Sequence, residues 1–228
     1  MKILGLVTAR GGSKRLPGKN TRMLGGRPLI AWTLKAAKES KVLESILVST
    51  DDQDIARVAM EWGGYVPWLR PAELATDTAN SIDVVLHALD WFESVHGSVD
   101  GVMLLQPTSP FRTVETIRQA VELFTANGQR PLVSVSPACV HPAWCFQVEH
   151  NSMTPMLGWD VINYRSQDLP PAYALNGAIY VATPAFLHQH RTFFTAETCP
   201  MIINKSVEAL DIDTEWDWLL AENFLNSI

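Results

Sequence analysis

Apolar residues run almost without interruption through KILGLVTA (2 to 9), SILVSTD (45 to 51), GVMLLQP (101 to 107) and PLVSVS (131 to 136), as they do in strands covered on both faces. Between these runs the apolar spacing changes to three and four residues. Ile30, Leu34 and Ala37 share one face of a helix predicted over 28 to 40, with Pro28 in its first turn, where a missing N–H costs nothing. Asp52 or Asp54 opens a second helix, striped by Ile55, Val58, Ala59 and Trp62 and stopped by Gly63 and Gly64. Ser81 precedes a third with Val85, Leu89 and Phe92 inward, and Thr113 precedes a fourth with Ile117, Val121 and Phe124, ending near Asn127 and Gly128. Strands alternating with such helices predict a three-layer α/β domain.

The pattern loosens after Pro137. Over 138 to 175, short apolar stretches separated by His, Asn, Ser and Pro predict loops and small antiparallel strands inserted into or beside the main sheet. GAIYVATP (177 to 184) restores a strand, and DIDTEWDWLLAENFL (211 to 225) predicts a turn and a closing helix that packs Trp216, Leu219, Leu220 and Phe224 inward. With no internal repeat, low-complexity tract or clear linker, residues 1–228 are expected to form a single domain, with 138–175 as a small arm within it.

Composition narrows the function. At 228 residues and 47% hydrophobic, the chain can bury one substantial core. A formal net charge of −6 argues against a broad nucleic-acid footprint, so no nucleic-acid partner is expected. The distribution of charge says more than the sum: residues 1 to 38 hold 9 of the 18 Lys and Arg and no Asp or Glu. Cys139, Cys145 and Cys199 have neither zinc spacing nor an even count, which fits a reducing compartment. No apolar run approaches membrane-spanning length and ILGLV is too short for a secretion signal, so a cytoplasmic location without membrane association is expected. His141, His188 and His190 show no metal spacing and no evident acidic partner.

The concentrated charge lies in ARGGSKRLPGKN (9 to 20), directly after the first predicted strand, where open α/β sheets bind ligands. Gly11 and Gly12 let backbone N–H groups approach an anion, Ser13 adds a hydroxyl, and Lys14, Arg15, Lys19 and Arg22 add charge. A polyphosphate satisfies all of them; a solvent-facing basic loop is the simpler alternative. The spacing is not that of a Walker loop, since Ser13 stands where its first Gly belongs and Asn20 where it needs Ser or Thr, and it lacks the dinucleotide G-x-G-x-x-G order.

This stretch resembles the signature of the cytidylyltransferases that make CMP-linked nine-carbon acidic sugars, the CMP-sialic acid synthetase family with its legionaminate and pseudaminate members. STDDQDIA (49 to 56), RPAELATDTANS (70 to 81), LLQPTSPFR (104 to 112), RSQDLPPAYALNGAIYV (165 to 181) and ALDIDTEWDW (209 to 218) resemble further family motifs in the same order. Thr8 departs from the Pro that usually precedes the Ala-Arg pair. The resemblance implies a nucleotidyltransferase fold with a mostly parallel central sheet. It implies transfer of CMP from CTP to the anomeric hydroxyl of a 2-keto-3-deoxy acidic sugar, release of pyrophosphate, a need for Mg²⁺, and a homodimer in which the arm over 138–175 reaches the second protomer's sugar pocket.

By the same resemblance Arg10, Gly11, Gly12, Ser13 and Lys19 belong to the triphosphate side, with Lys19 beside the reacting phosphorus, and Asn20, Arg70 and Ser81 to the cytidine pocket. Gln106 falls at the junction of nucleotide and sugar, and Arg165, Gln167, Tyr173 and Asn176 on the sugar side, with Phe193 and Phe194 near the apolar wall around its acyl group. Asp211 and Asp213 fall on the metal-binding pair, and Lys19, Arg10 and Asp211 are the residues expected to act in catalysis. If locally extended, DID sends both carboxylates one way and Ile212 toward the core. The competing readings give Asp213 to helix capping, Gln106 and Asn176 to turns, Arg70 to a surface ion pair and Phe193 with Phe194 to a dimer contact. The acceptor of the anomeric proton stays open among Asp211, ordered water and the metal site. An eight-carbon keto-deoxy acceptor and a noncatalytic CTP-binding regulator are the alternative functions.

Overall fold

The computed structural model describes residues 1–227. In chain order its elements begin with β1 (Ile3–Thr8), β2 (Met23–Leu24), β3 (Arg27–Pro28), α1 (Leu29–Ser40), β4 (Ser45–Ser49), α2 (Gln53–Glu61), α3 (Ser81–His96) and β5 (Gly101–Leu104). They continue with α4 (Val114–Ala126), β6 (Leu132–Pro137), β7 (Phe146–Glu149), β8 (Ser152–Pro155), β9 (Tyr173–Ala182), α5 (Pro184–His190), β10 (Cys199–Ile202) and α6 (Glu215–Asn226). Six strands form the main sheet in the order β10-β6-β9-β5-β1-β4. β1 is parallel to β4 and β5, and β6 to β10, whereas β9 runs antiparallel to both β5 and β6.

Alternation along β1 explains the layers. Ile3 and Val7 pack with Ile30 and Leu34 of α1, Ile55 of α2 and Phe124 of α4, while Leu4 and Leu6 pack with Val85 and Leu89 of α3 and Leu187 of α5. The helices therefore cover both faces of a mostly parallel sheet, as the sequence predicts. Among the described residues, no helix is long and apolar enough to cross a membrane.

The helix starts follow from their caps. Asp52 accepts the amides of Asp54 and Ile55 to open α2, and Thr113 accepts the Thr116 amide to open α4. α3 is capped by Asn80, so Ser81 is its first residue rather than the residue before it. Pro28 likewise stands one place earlier than predicted, at the cap of α1 with ψ at 146°, because it is itself paired with Met23 in the small β2–β3 hairpin.

The closing helix keeps Phe224 packed against Phe111 as predicted, but its first turns face inward differently from what the apolar residues predict. Trp218 and Ala221 are fully buried with Leu16, Leu24, Leu29, Phe111 and Ile212, whereas Trp216, Leu219 and Leu220 are exposed. The reason lies at the N-terminus of α6. Thr214 and Asp217 form a reciprocal capping box, and Ile212 is anchored in the core, which together fix the helix rotation before packing of its later turns is chosen. Arg22 covers the Trp218 ring, its guanidinium carbon 4.2 Å from the centroid.

Trp218→Ala is expected to lower the unfolding free energy by about 3–5 kcal/mol, the range for truncating a buried aromatic side chain. Trp216→Ala is expected to change it by less than about 0.5 kcal/mol. Urea unfolding followed by circular dichroism separates the two, and equal losses would contradict the observed helix face.

Candidate active site

The chain leaves β1 for β4 on one side and later returns to β5 on the other, so the connection reverses at the carboxyl end of β1. Such a reversal opens a crevice in an α/β sheet. Here it is a cleft of about 610 Å³ that brings together Arg10, Ser13, Lys19, Asn20, Arg70, Ser81, Gln106 and Asp213 of the residues expected from sequence. Its walls also carry Lys14, Arg15 and Asp77, giving five cationic side chains against two carboxylates.

The basic loop is held by its own residues. Leu16 is fully buried beneath it, and the buried Asn20 closes its ends by donating from Nδ2 to the Arg10 carbonyl at 3.0 Å. Gly11 is needed for close approach: an added Cβ would stand 2.6 Å from Asp52 Oδ2. Its N–H, which the sequence offers to a phosphate, instead donates to Asp51 Oδ1 at 3.0 Å, because the turn after β4 brings that carboxylate beneath it. Neither Gly11 nor Gly12 lines the cleft itself.

Lys19 Nζ donates to the Ile212 carbonyl at 3.1 Å and to Asp213 Oδ1 at 2.8 Å, while Arg15 pairs with Asp213 Oδ2 at 2.9 Å. The cap of α6 is Thr214, which leaves Asp213 to these cations rather than to helix capping. Ile212 is buried, as the DID alternation predicts, and its N–H donates to the Thr108 carbonyl at 2.8 Å. Asp211, expected to act in catalysis and to hold metal, does not itself line the cleft; it is exposed on the Gly177 side, yet the protein mass around its carboxyl pushes its pKa up, with repulsion from Asp213 adding to the shift and Thr108 and Lys19 opposing it. A second anion balances the far wall: Asp77 pairs with Lys14 and, at 2.9 Å, with Arg10. Lys14 first, and Arg10 after it, hold the Asp77 carboxyl below the usual carboxylate range.

Arg70 is buried, donating from Nε to Ser49 Oγ at 2.9 Å and from Nη2 to the Ser49 carbonyl at 2.5 Å, so it is not a surface ion pair. Burial lowers its pKa, Asp51 opposes that, and Arg10 adds to it. At the opposite end, Gln106 faces Gly177, where β9 bulges and φ is +72°; a Cβ there would lie 2.7 Å from Gln106 Oε1. Tyr180, on the same strand, carries a phenol whose pKa burial and the Asp211 charge push up.

The remaining expected residues do not line the cleft. Arg165 and Gln167 are exposed on a short helical turn, with Arg165 paired to Asp168 at 2.7 Å. Tyr173 is exposed at the start of β9. The Asn176 amide is consumed inside the protein, accepting from Ser134 Oγ at 2.5 Å and donating to Ser136 Oγ at 2.8 Å. Phe193 is buried against Tyr180, while Phe194 is exposed beside the same ring. On the surface His188 does have an acidic partner, Asp90 at 3.1 Å. Asp51, Asp77, Thr108 and Tyr180 are site-forming residues that sequence reasoning missed; all four lay inside the motifs but had no local signal for their distant partners.

No group of three or more His, Cys, Asp or Glu suited to a metal occurs among the described residues. The Asp211 and Asp213 carboxylates offer the oxygen donors that suit one hard divalent cation with phosphate oxygens and water completing its shell, although both Asp213 oxygens are here held by Lys19 and Arg15. Taken together, the cleft has the surplus positive charge and the polar end wall that a polyphosphate with a polar substituent requires.

The cytidylyltransferase family model matches residues 4–216. Over 227 residues the chain is 46% identical to a CMP-N,N'-diacetyllegionaminic acid synthase of Legionella pneumophila, covering 99% of this chain and 97% of that protein. It is 34% identical over 221 residues to an N-acylneuraminate cytidylyltransferase of Escherichia coli, covering 96% of this chain and 51% of that protein. A pseudaminic acid cytidylyltransferase of Campylobacter jejuni is 31% identical over 217 residues, covering 95% of this chain and 93% of that one. The fold is like that of a CMP:2-keto-3-deoxy-manno-octonic acid synthetase solved in complex with CTP, with a TM-score of 0.72 at 16% identity, covering 100% of this chain and 99% of that one.

Asp77→Asn is expected to tighten binding of inorganic tripolyphosphate by about 2- to 10-fold, the scale of one or two exposed ion pairs freed for a ligand. Calorimetric titration at two salt concentrations checks this; an unchanged affinity would mean that Asp77 does not compete for the same cations.

Proposed function

The chain belongs to the cytidylyltransferase family, and from that premise we propose that it transfers CMP from CTP to the anomeric hydroxyl of a nine-carbon acidic sugar, with N,N'-diacetyllegionaminic acid as the preferred acceptor. The observation that carries the reading is the 46% identity to the Legionella pneumophila synthase along nearly the whole of both chains, against 31–34% for the sialic and pseudaminic acid enzymes. The fold likeness to the eight-carbon enzyme, at 16% identity, speaks only for architecture.

In this reading the hydroxyl oxygen of the sugar attacks the α-phosphorus, the bond from that phosphorus to the bridging oxygen breaks, and pyrophosphate leaves while the hydroxyl proton passes to an acceptor at the rim. Charge grows on the phosphate oxygens as this happens, and fixed cations lower the barrier because they are in place beforehand. Lys19 is oriented by the Ile212 carbonyl, so it stays at the reacting end when Asp213 is shared with a ligand. Arg10, Lys14 and Arg15 exchange Asp77 and Asp213 for the outer phosphates. Asp211 and Asp213 would hold Mg²⁺, which supplies further charge neutralisation on the phosphates when bound. Ser81 and the buried Arg70 face the cytidine side, and Gln106 receives the sugar.

Arg165, Gln167 and Tyr173 reach an acceptor across a homodimer, in which the arm of one protomer covers the other's cleft, while Phe194 stays beside Tyr180 of its own chain. The support is the concentration of exposed apolar residues on the arm, including Val148 in β7, Met153 in β8, and Met156, Leu157 and Trp159 beyond them. Three free cysteines agree with action in the reducing cytoplasm.

Pyrophosphate release from CTP is expected with N,N'-diacetyllegionaminate at a kcat/KM at least about 10-fold above that for N-acetylneuraminate, pseudaminate or the eight-carbon acid, and only with Mg²⁺ present. Lys19→Ala is expected to lower kcat by about 10²- to 10³-fold. CTP binding without release from any acid would favour the noncatalytic regulator instead. In sedimentation velocity the protein is expected as a dimer, and Trp159→Asp combined with Met153→Asp as a monomer; a monomeric native protein would remove the shared-site reading.

A further inference from the structure

Arg112 is 2% exposed, and all three hydrogen bonds of its guanidinium go to neutral oxygens. Nε donates to the Ala178 carbonyl at 2.6 Å, Nη2 to the Gln106 carbonyl at 2.9 Å and Nη1 to the Thr33 hydroxyl at 3.2 Å. Burial pushes its pKa down to about 9, with the Glu208 charge opposing at longer range, so it remains a cation at neutral pH. A cation taken from water without a carboxylate beside it is an unfavourable way to fill a core position, and an apolar side chain of similar size would fill it at lower desolvation cost. Stability alone therefore does not account for it.

The three acceptors explain the placement. They belong to α1, to the exit of β5 and to the bulge of β9, elements joined in space at one end of the cleft. Gln106 supplies the side chain that closes this end, and Gly177, next to Ala178, is the surface against which the Gln106 amide rests, with room for no Cβ. The β5–β9 ladder ends at Leu104 opposite Tyr180, and beyond it the side-chain tie from Ser109 Oγ to the Asn176 carbonyl is long at 3.4 Å. A guanidinium is a rigid planar fork, so one group bonded to both the 106 and 178 carbonyls fixes their separation as a flexible side chain does not.

We propose that Arg112 is a positioning residue: its buried fork locks the backbone of Gln106 to the β9 bulge and thereby sets the angle at which the Gln106 amide meets the acceptor. The part of this that concerns transfer rests on the function proposed above. The position of Gln106 does not.

The test uses Arg112→Lys, which keeps the charge and loses the fork, Thr33→Val, which leaves Arg112 in place and removes one acceptor together with the long 3.5 Å bond from the Thr33 hydroxyl to the Gln106 carbonyl, Gln106→Ala, and the Arg112→Lys/Gln106→Ala double variant. Arg112→Lys is expected to lower kcat/KM for the acceptor sugar by about 10- to 100-fold, the cost of a misplaced contact at a reacting centre, with CTP affinity held within about 3-fold by calorimetry. Thr33→Val is expected to act in the same direction by about 2- to 5-fold, and the double variant to be no slower than Gln106→Ala, since both changes remove one interaction. The Gln106 side-chain amide resonance, identified by its loss in Gln106→Ala, is expected to shift in Arg112→Lys and Thr33→Val. Losses that multiply in the double variant, equal damage to CTP and acceptor use, or an unmoved Gln106 resonance would overturn the proposal. Should Arg112→Lys fail to fold, Thr33→Val decides by the same readouts. Should the native protein turn over no acid, the functional reading fails, while the resonance still decides whether Arg112 positions Gln106.

Discussion

Lys19 Nζ, bonded to the Ile212 carbonyl at 3.1 Å and to Asp213 at 2.8 Å, joins the first loop of the chain to the segment that opens its last helix. The ammonium is only 12% exposed, so its charge is weakly screened and its direction is fixed. Around that contact the chain arranges matched apolar anchors: Leu16 under the loop, Ile212 under the DID segment and Trp218 in α6 meet in one small core. The basic loop is thus a built surface rather than a solvated one. Without the anchors, the like charges of Arg10, Lys14, Arg15 and Lys19 would spread it into solvent.

The same contact explains how a cleft with so much positive charge stays folded before a ligand arrives. Asp213 and Asp77 each hold two of its cations and occupy the places that phosphate oxygens take in the proposed reaction. Three of those four cations are more than a third exposed, so their pairs are weak and readily exchanged. Lys19 is the exception, because a backbone carbonyl holds it independently of either carboxylate. Charge that must move is loosely held, and charge that must stay in place is tied to the main chain.

At the other end the constraint is steric. Gly177 gives up its side chain so that Gln106 can lie across β9, and Arg112 holds the two carbonyls that define the contact. This junction is completed within one chain, whereas the arm with β7 and β8 leaves apolar side chains in water. The junction at Gln106 is therefore complete in the single chain while the arm is not, which is what the proposed sharing of the acceptor pocket between two protomers requires.

Much of the architecture was legible locally. Continuous apolar runs marked β1, β4, β5 and β6, caps at Asp52 and Thr113 started helices where expected, and a two-residue period placed Ile212 inward. The density of Lys and Arg in the first loop, and its position after β1, located the cleft. The tertiary structure decided the rest: that α6 buries Trp218 and not Trp216, that Asp51 takes the Gly11 amide, that Asp77 faces Lys14, and that Arg112 bridges Gln106 to Ala178. Periodicity and capping act over a few residues and leave a mark in the sequence, whereas an ion pair or a buried fork depends on which distant segments the sheet order brings within about 3 Å, and nothing local records that.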